Sequence, residues 1–161
     1  VTFYTTCVNT RQTCVKTWKV FNIISNGKVF SATFNDYAEF FEKWEETEPG
    51  DIIGLDVSSD REQYIKANDP DLVVGVHSDS YGCIVGGEKS IEDSKEKYIP
   101  VGLSGRVRVK VIGKVKKGDK ITLSSISGIG IKASETTQRA IGFCLEDNAD
   151  ESIKLVKIKL L

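Results

Sequence analysis

The chain contains no methionine, one histidine and three prolines among its 161 residues, and its four cysteines form no Cys-x-x-Cys pair. The cysteine spacing and the lone histidine argue against a zinc site. Histidine-dependent catalysis would have to rest on His77 alone. Its place beside Val76 and Ser78 reads instead as a strand end. Charge is not in excess either. With 22 basic against 23 acidic side chains and a net charge of −1, the chain supplies no field for gathering nucleic acid or anionic lipid. No run approaches the roughly 20 apolar residues of a membrane-spanning helix. Neither nucleic acid nor a membrane is therefore expected as a partner. Gly86-Gly87 looks superficially like a phosphate loop but lacks the following Lys-Ser/Thr and helix, so no cofactor is expected.

At 40% hydrophobic and 28% charged residues, the composition is that of an ordinary globular chain. Its length suits one domain, or one domain plus an N-terminal arm, and a chain of this size can bury about 70% of its unfolded surface. With Val1 first and no methionine, the expectation is a trimmed or processed piece of something longer. The strand-like run Ser152 to Leu161 reads as that polypeptide's end. Its lysines, alternating with Leu155, Val156, Ile158 and Leu160, read as a solvated strand face. Arg106 and Arg108, which alternate with Val107 and Val109, read as a solvated face by default, with a subunit interface as the alternative.

Strand signals dominate. Candidates run from Thr2 to Val8, Thr13 to Ile24, Lys28 to Phe34, Ile52 to Val57, Gln63 to Ala67, Leu72 to Ser78 and Gly82 to Val85. After a charged loop from Glu88 to Lys97 come Val101 to Leu103, Gly105 to Lys114, Lys120 to Ser124, Gly130 to Ala133, Arg139 to Glu146 and Ile153 to Leu161. Asn26-Gly27 between apolar runs is a hairpin turn signal.

The sequence also repeats itself. Gly50-Asp51 leads to Ile65-Lys66-Ala67 and Val74-Gly75-Val76; Gly118-Asp119 leads to Ile131-Lys132-Ala133 and Ile141-Gly142-Phe143. The physical reading is one β-unit used twice: a tight turn at Gly-Asp, a hairpin, and a strand opened at Gly where another backbone approaches. The expected fold class is mainly β, a compact β-domain with two similar β-hairpin units and one short helix after an N-terminal β-arm. The arm is residues 1–35 and the β-domain residues 36–161. Cys7 and Cys14 can face each other across a hairpin, as a disulfide or as two free thiols, and that choice is left open. Cys83 and Cys144 read as small core residues.

One segment carries possible chemistry, Asn35-Asp36-Tyr37-Ala38-Glu39-Phe40-Phe41-Glu42. From Asp36 the apolar positions Tyr37, Phe40, Phe41 and Trp44 fall on one stripe of helical period, which predicts a short helix over residues 36 to about 46. Asp36 and Glu39 would then share the side of its first turn. They would be a capping box or a catalytic pair.

The Asp36 to Glu42 run, Val73-Val74-Gly75-Val76, Pro100 through Val107, and Gly118-Asp119 through Ile141-Gly142 together resemble the self-cleaving C-terminal domain of phage tail and neck appendage proteins. That family is peptidase G2, the autoproteolytic intramolecular chaperones. The likeness covers residues 28 to 161 or so and is most specific at Asp-Tyr-Ala-Glu. It implies a domain that assists trimerisation of the spike or fibre ahead of it in the same chain, assembled in the host cytoplasm and carried on the virion tail or an appendage. The resemblance also implies cleavage at Asn35-Asp36, with Asp36 and Glu39 as the catalytic carboxylates. A small hydroxyl residue precedes the Asp in the family, whereas this chain has Asn35. A serine-ester route is thereby closed, leaving water attack, a succinimide formed by the Asn35 side chain, or no cleavage. A homotrimer is expected, with the arm burying Phe3, Trp18, Phe21 and Phe30 between chains. The alternative is a non-cleaving structural or receptor-binding head domain of a trimeric fibre, with a host glycan as one possible receptor. A stand-alone β-enzyme is disfavoured by the absence of a nucleophile motif.

Overall fold

The computed structural model describes residues 36–87, 91–134 and 138–161. The arm, Cys7 and Cys14, the Asn26-Gly27 turn and Asn35 lie outside the described residues. The described part is mainly β: strands β1 (Asp36–Glu42), β2 (Ile52–Leu55), β3 (Tyr64–Lys66), β4 (Val73–His77) and β5 (Cys83–Val85) precede helix α1 (Ile91–Lys97). They are followed by β6 (Tyr98–Ile112), β7 (Lys120–Leu123), β8 (Gly130–Lys132), β9 (Gly142–Cys144) and β10 (Lys154–Leu160).

The 15-residue β6 is the spine. Along one edge it pairs antiparallel with β1 from Tyr98 to Gly105, then antiparallel with β10 from Arg106 to Val111. Along the other it pairs with β4 at Val101 and Gly102 and, in parallel, with β8 at Val111 and Ile112. The handover falls at Gly105, whose φ of +112° is closed to most side chains. There the strand passes from one half of the barrel-like sheet to the other. The sequence suggested two separate strands here, but Gly105 bends a single one.

The two repeated units fold alike, down to individual hydrogen bonds. In each turn the Asp amide donates to the carbonyl three residues earlier (Asp51 to Glu48, 3.0 Å; Asp119 to Lys116, 2.9 Å). The Asp carboxylate accepts that earlier residue's amide, at 2.8 Å in both copies. Gly50 and Gly118 take φ of +94° and +91° to close the turn. The Lys of each Ile-Lys-Ala reaches back to the turn: Lys66 to Asp51 at 3.9 Å, Lys132 to Asp119 at 2.9 Å. Equivalent residues pair, Ile53 with Lys66 and Ile121 with Lys132. The third strand opens at glycine as its spacing predicts. A methyl group on Gly75 or Gly142 would stand 2.4 Å from the carbonyl oxygen of Gly102 or Lys159 respectively.

Two apolar clusters fill the body. The larger gathers Val107, Val109 and Val111 of β6 with Ile121, Val156 and Ile158; the smaller gathers Tyr64, Ile99 and Val101. The adjacent residues Ile52 and Ile53 point to opposite faces of β2 and serve one cluster each, both fully buried. Each such side chain contributes about 1.5–3 kcal/mol of transfer free energy.

Three expectations are corrected. Residues 36–42 form strand β1, not the start of a helix. Asp36, Ala38 and Phe40 are buried in strict alternation, and β1 is paired on both edges, to β5 and β6. The helical spacing of aromatics was coincidental, and these aromatics are good strand formers. The short α-helix among the described residues lies instead within the expected charged loop, at Ile91–Lys97. Cys83 is exposed, because β5 is a short strand that among the described residues pairs only with β1, whereas Cys144 is buried as expected.

Candidate functional site

Asp36 opens β1 opposite Gly105, where β6 changes partner. Its carbonyl accepts the Gly82 amide at 2.9 Å, which fixes the backbone. Its side chain points inward and is 6% exposed. Both carboxylate oxygens are buried without a hydrogen-bond partner among the described residues. The carboxylate lies against Gly102: a methyl group there would meet Asp36 Oδ2 at 2.6 Å and Ser78 Cβ at 3.5 Å. Asp36 and Ser78 thus flank one glycine, and the absence of a side chain at residue 102 makes the space.

Burial raises the Asp36 pKa above the ordinary carboxylate range; the Ser78 hydroxyl partly lowers it again, and the negative charge of Asp79 adds a further rise. The influence of Ser78 is that of a nearby dipole, since neither oxygen has a partner with good hydrogen-bond geometry. An unsatisfied buried acceptor costs about 1–3 kcal/mol, and a carboxyl in such a place favours its neutral form.

Glu39 is not beside Asp36. Successive strand residues alternate faces, so positions 36 and 39 of β1 face opposite sides. The capping-box geometry is absent, because there is no helix to cap. Glu39 is half-buried, and its charge acts on Tyr64, whose pKa is raised by burial, by a 2.7 Å hydrogen bond to Glu62 and by the Glu62 and Glu39 charges. The residues gathered around Asp36 are instead Ser78, Asp79 and Gly102. Ser78 and Asp79 had no signal in the sequence, being an ordinary polar pair after a strand. Only the pairing of β4 with β6 brings them to Asp36.

His77 ends β4, and its Nδ1 lies 2.8 Å from Thr47 Oγ1. Burial lowers its pKa, partly opposed by Asp51 and Asp79. Its backbone belongs to the repeated unit, donating to Asp51 and accepting from Gly50 as Cys144 does with Asp119 and Gly118. Arg106 and Arg108 are exposed, on the solvated face expected of them. Among the described residues, no group of three or more His, Cys, Asp or Glu side chains could hold a metal ion.

No family model matches the chain, and no curated protein matches it in sequence. Solved structures do match in fold. The pre-mature gene product 12 of bacteriophage phi29 superposes with a TM-score of 0.64 at 15% identity, over 87% of this chain and 23% of that one. The C-terminal fragment of the same phage protein superposes with a TM-score of 0.57 at 15% identity, over 78% of this chain and 100% of the fragment. The chain thus spans about a quarter of the pre-mature phage protein's length and shares the fold of its C-terminal fragment.

Proposed function

We propose that this chain is the C-terminal domain of a phage or prophage tail spike, fibre or appendage, guiding trimer assembly of the region that precedes it and then separating by breakage of the Asn35-Asp36 bond. Its place would be the virion tail or an appendage, after assembly in the host cytoplasm. The shared fold with a phage protein's C-terminal fragment supports the first half of this reading. The observation that carries the second half is the Asp36 carboxyl, buried at the first residue of β1 without a hydrogen-bond partner among the described residues, with its pKa raised. A neutral carboxyl there can give its proton to the departing backbone nitrogen of the same residue.

Two routes balance. In one, water adds to the Asn35 carbonyl carbon, the peptide C–N bond breaks, and the products are an Asn35 carboxylate and an Asp36 amine. In the other, the Asn35 side-chain nitrogen bonds to its own carbonyl carbon, the same C–N bond breaks, and a succinimide forms while the amide proton ends on the Asp36 amine. Glu39, on the far face of β1, would take part only if a neighbouring chain brought its own Glu39 to the bond. That would tie cleavage to trimer formation.

The alternative is a permanent structural or receptor-binding head. It is favoured by Asn35 in place of the expected hydroxyl residue and by the separation of Asp36 and Glu39 across β1. Intact-mass measurement of the purified oligomer separates the two readings. A fragment beginning at Asp36, lost in Asp36→Asn, supports self-cleavage; a stable full-length trimer supports the head domain.

A further inference from the structure

Trp44 follows β1, and its indole does not join the buried aromatics of that segment: it is 62% exposed. The backbone holds it there. Its amide donates to the Tyr64 carbonyl at 3.1 Å, and the preceding Lys43 forms a parallel bridge to Tyr64. The ring forms one wall of a groove of about 350 Å³, faced by Asp56, Ser59, Asp60, Arg61 and Gln63. That volume falls within the range of about 300–1,000 Å³ typical of small-ligand sites.

The polar wall is braced from within. Asp56 Oδ1 accepts both the amide and the hydroxyl of Ser58, at 2.9 and 2.6 Å. Ser59 Oγ accepts the Arg61 amide at 3.2 Å and donates to Gln63 Oε1 at 2.8 Å. The Asp56 amide donates to the Gln63 carbonyl at 2.9 Å. Gln63 is 3% exposed, and its side-chain oxygen is engaged by Ser59, which leaves its amide nitrogen as the donor it brings to the groove. The charged ends of Asp60 and Arg61 likewise make no ion pair among the described residues.

We propose that this groove is a carbohydrate subsite, in which a pyranose ring of an uncharged glycan stacks on Trp44 while Asp56, Asp60, Arg61 and Gln63 bind its hydroxyl rim. The chemistry selects this class. A sugar ring has an apolar C–H face and a rim of donors and acceptors; the groove is lined by one flat aromatic residue and by planar groups of both hydrogen-bonding senses. Apart from Trp44 the walls are polar, which disfavours a lipid. Two carboxylates against one guanidinium disfavour a phosphate or other polyanion, and the unpaired guanidinium disfavours a cation. The proposal gives the receptor-binding alternative a site and a ligand class, and it stands whether or not the 35–36 bond is cut.

The test uses the full chain. Trp18→Phe leaves Trp44 as the sole indole of the two in the sequence. Acrylamide should quench its emission as for an exposed ring; a shielded indole in the assembled protein would overturn the proposal. An array of neutral and anionic glycans is then probed with the labelled wild-type chain, Trp44→Ala, Arg61→Ala and Asp36→Asn. The expected result is binding to a related group of neutral glycans, weakened at least tenfold by Trp44→Ala, several-fold by Arg61→Ala, and not at all by Asp36→Asn, with unchanged circular dichroism. No binding above background, binding to anionic glycans alone, or equal binding by the Trp44 and Arg61 variants would overturn it.

Discussion

Asp36 Oδ2 rests over the α-carbon of Gly102, so close that a methyl group added there would stand 2.6 Å from it. Val107 Cγ1 crowds the same point at 2.9 Å. Gly102→Ala should therefore displace the carboxylate or strain β6, with a loss of about 1–3 kcal/mol typical of overpacking. Urea unfolding measures the loss. Under the proposed self-cleavage, the cut should also slow in this variant, because the Asp36 carboxyl would be displaced.

The raised pKa of Asp36 has a definite sign in stability. The folded state holds this proton more tightly than the unfolded chain does. Between the unfolded value of 3.8 and the raised folded value, the unfolded chain has already ionised while the folded one has not, so stability falls as pH rises through this window. Above the folded value the penalty is fully present. Asp36→Asn, which cannot ionise, should be more stable than wild type near neutral pH, and the advantage should shrink as pH falls towards and below 3.8. Unfolding midpoints across a pH series check this; an equal gap at every pH would contradict it.

The two copies of the Gly-Asp turn differ in burial, and so should differ in worth. The Asp51 side chain is 3% exposed and paired with Lys110 at 2.8 Å, whereas that of Asp119 is 18% exposed and paired with a half-exposed Lys132 at 2.9 Å. Removing one partner of a buried pair costs about 3–5 kcal/mol. A more exposed carboxylate that mainly braces a turn is worth about 1 kcal/mol. Asp51→Ala should therefore destabilise markedly more than Asp119→Ala in chemical denaturation.

The repeat could be read from the sequence because its signals are local and steric. Gly50 and Gly118 are needed for positive φ, the following Asp closes each turn, and Gly75 and Gly142 admit a neighbouring carbonyl. Strand positions after residue 50 were equally readable, since alternation such as Val107, Val109 and Val111 against Arg106, Arg108 and Lys110 has only one sensible burial. The segment from Asp36 misled because Tyr37, Phe40, Phe41 and Trp44 fit a helical stripe as well as a strand. What decides is pairing with β5 and β6, contacts 46 to 69 residues distant that no local window contains. The same long-range pairing brings Ser78 and Asp79 to Asp36 and sends Glu39 to the opposite face, so the surroundings of the candidate site could not be read from its own segment.

Asp36 is proposed to break the bond before it once the chain has assembled. The most direct measurement is the mass of the chain followed over days near neutral pH, in fractions sized as monomer and as trimer. Trimers should yield two pieces, residues 1–35 and 36–161, the second with Asp36 as its N-terminus. Asp36→Asn should abolish the cut while leaving the fold intact, Glu39→Gln should do so only if a neighbouring chain's Glu39 reaches the bond, and Asn35→Ala should stop it only if the succinimide route is used. A trimer that keeps its full mass of 17.8 kDa per chain throughout would rule out self-cleavage and leave a permanent head domain.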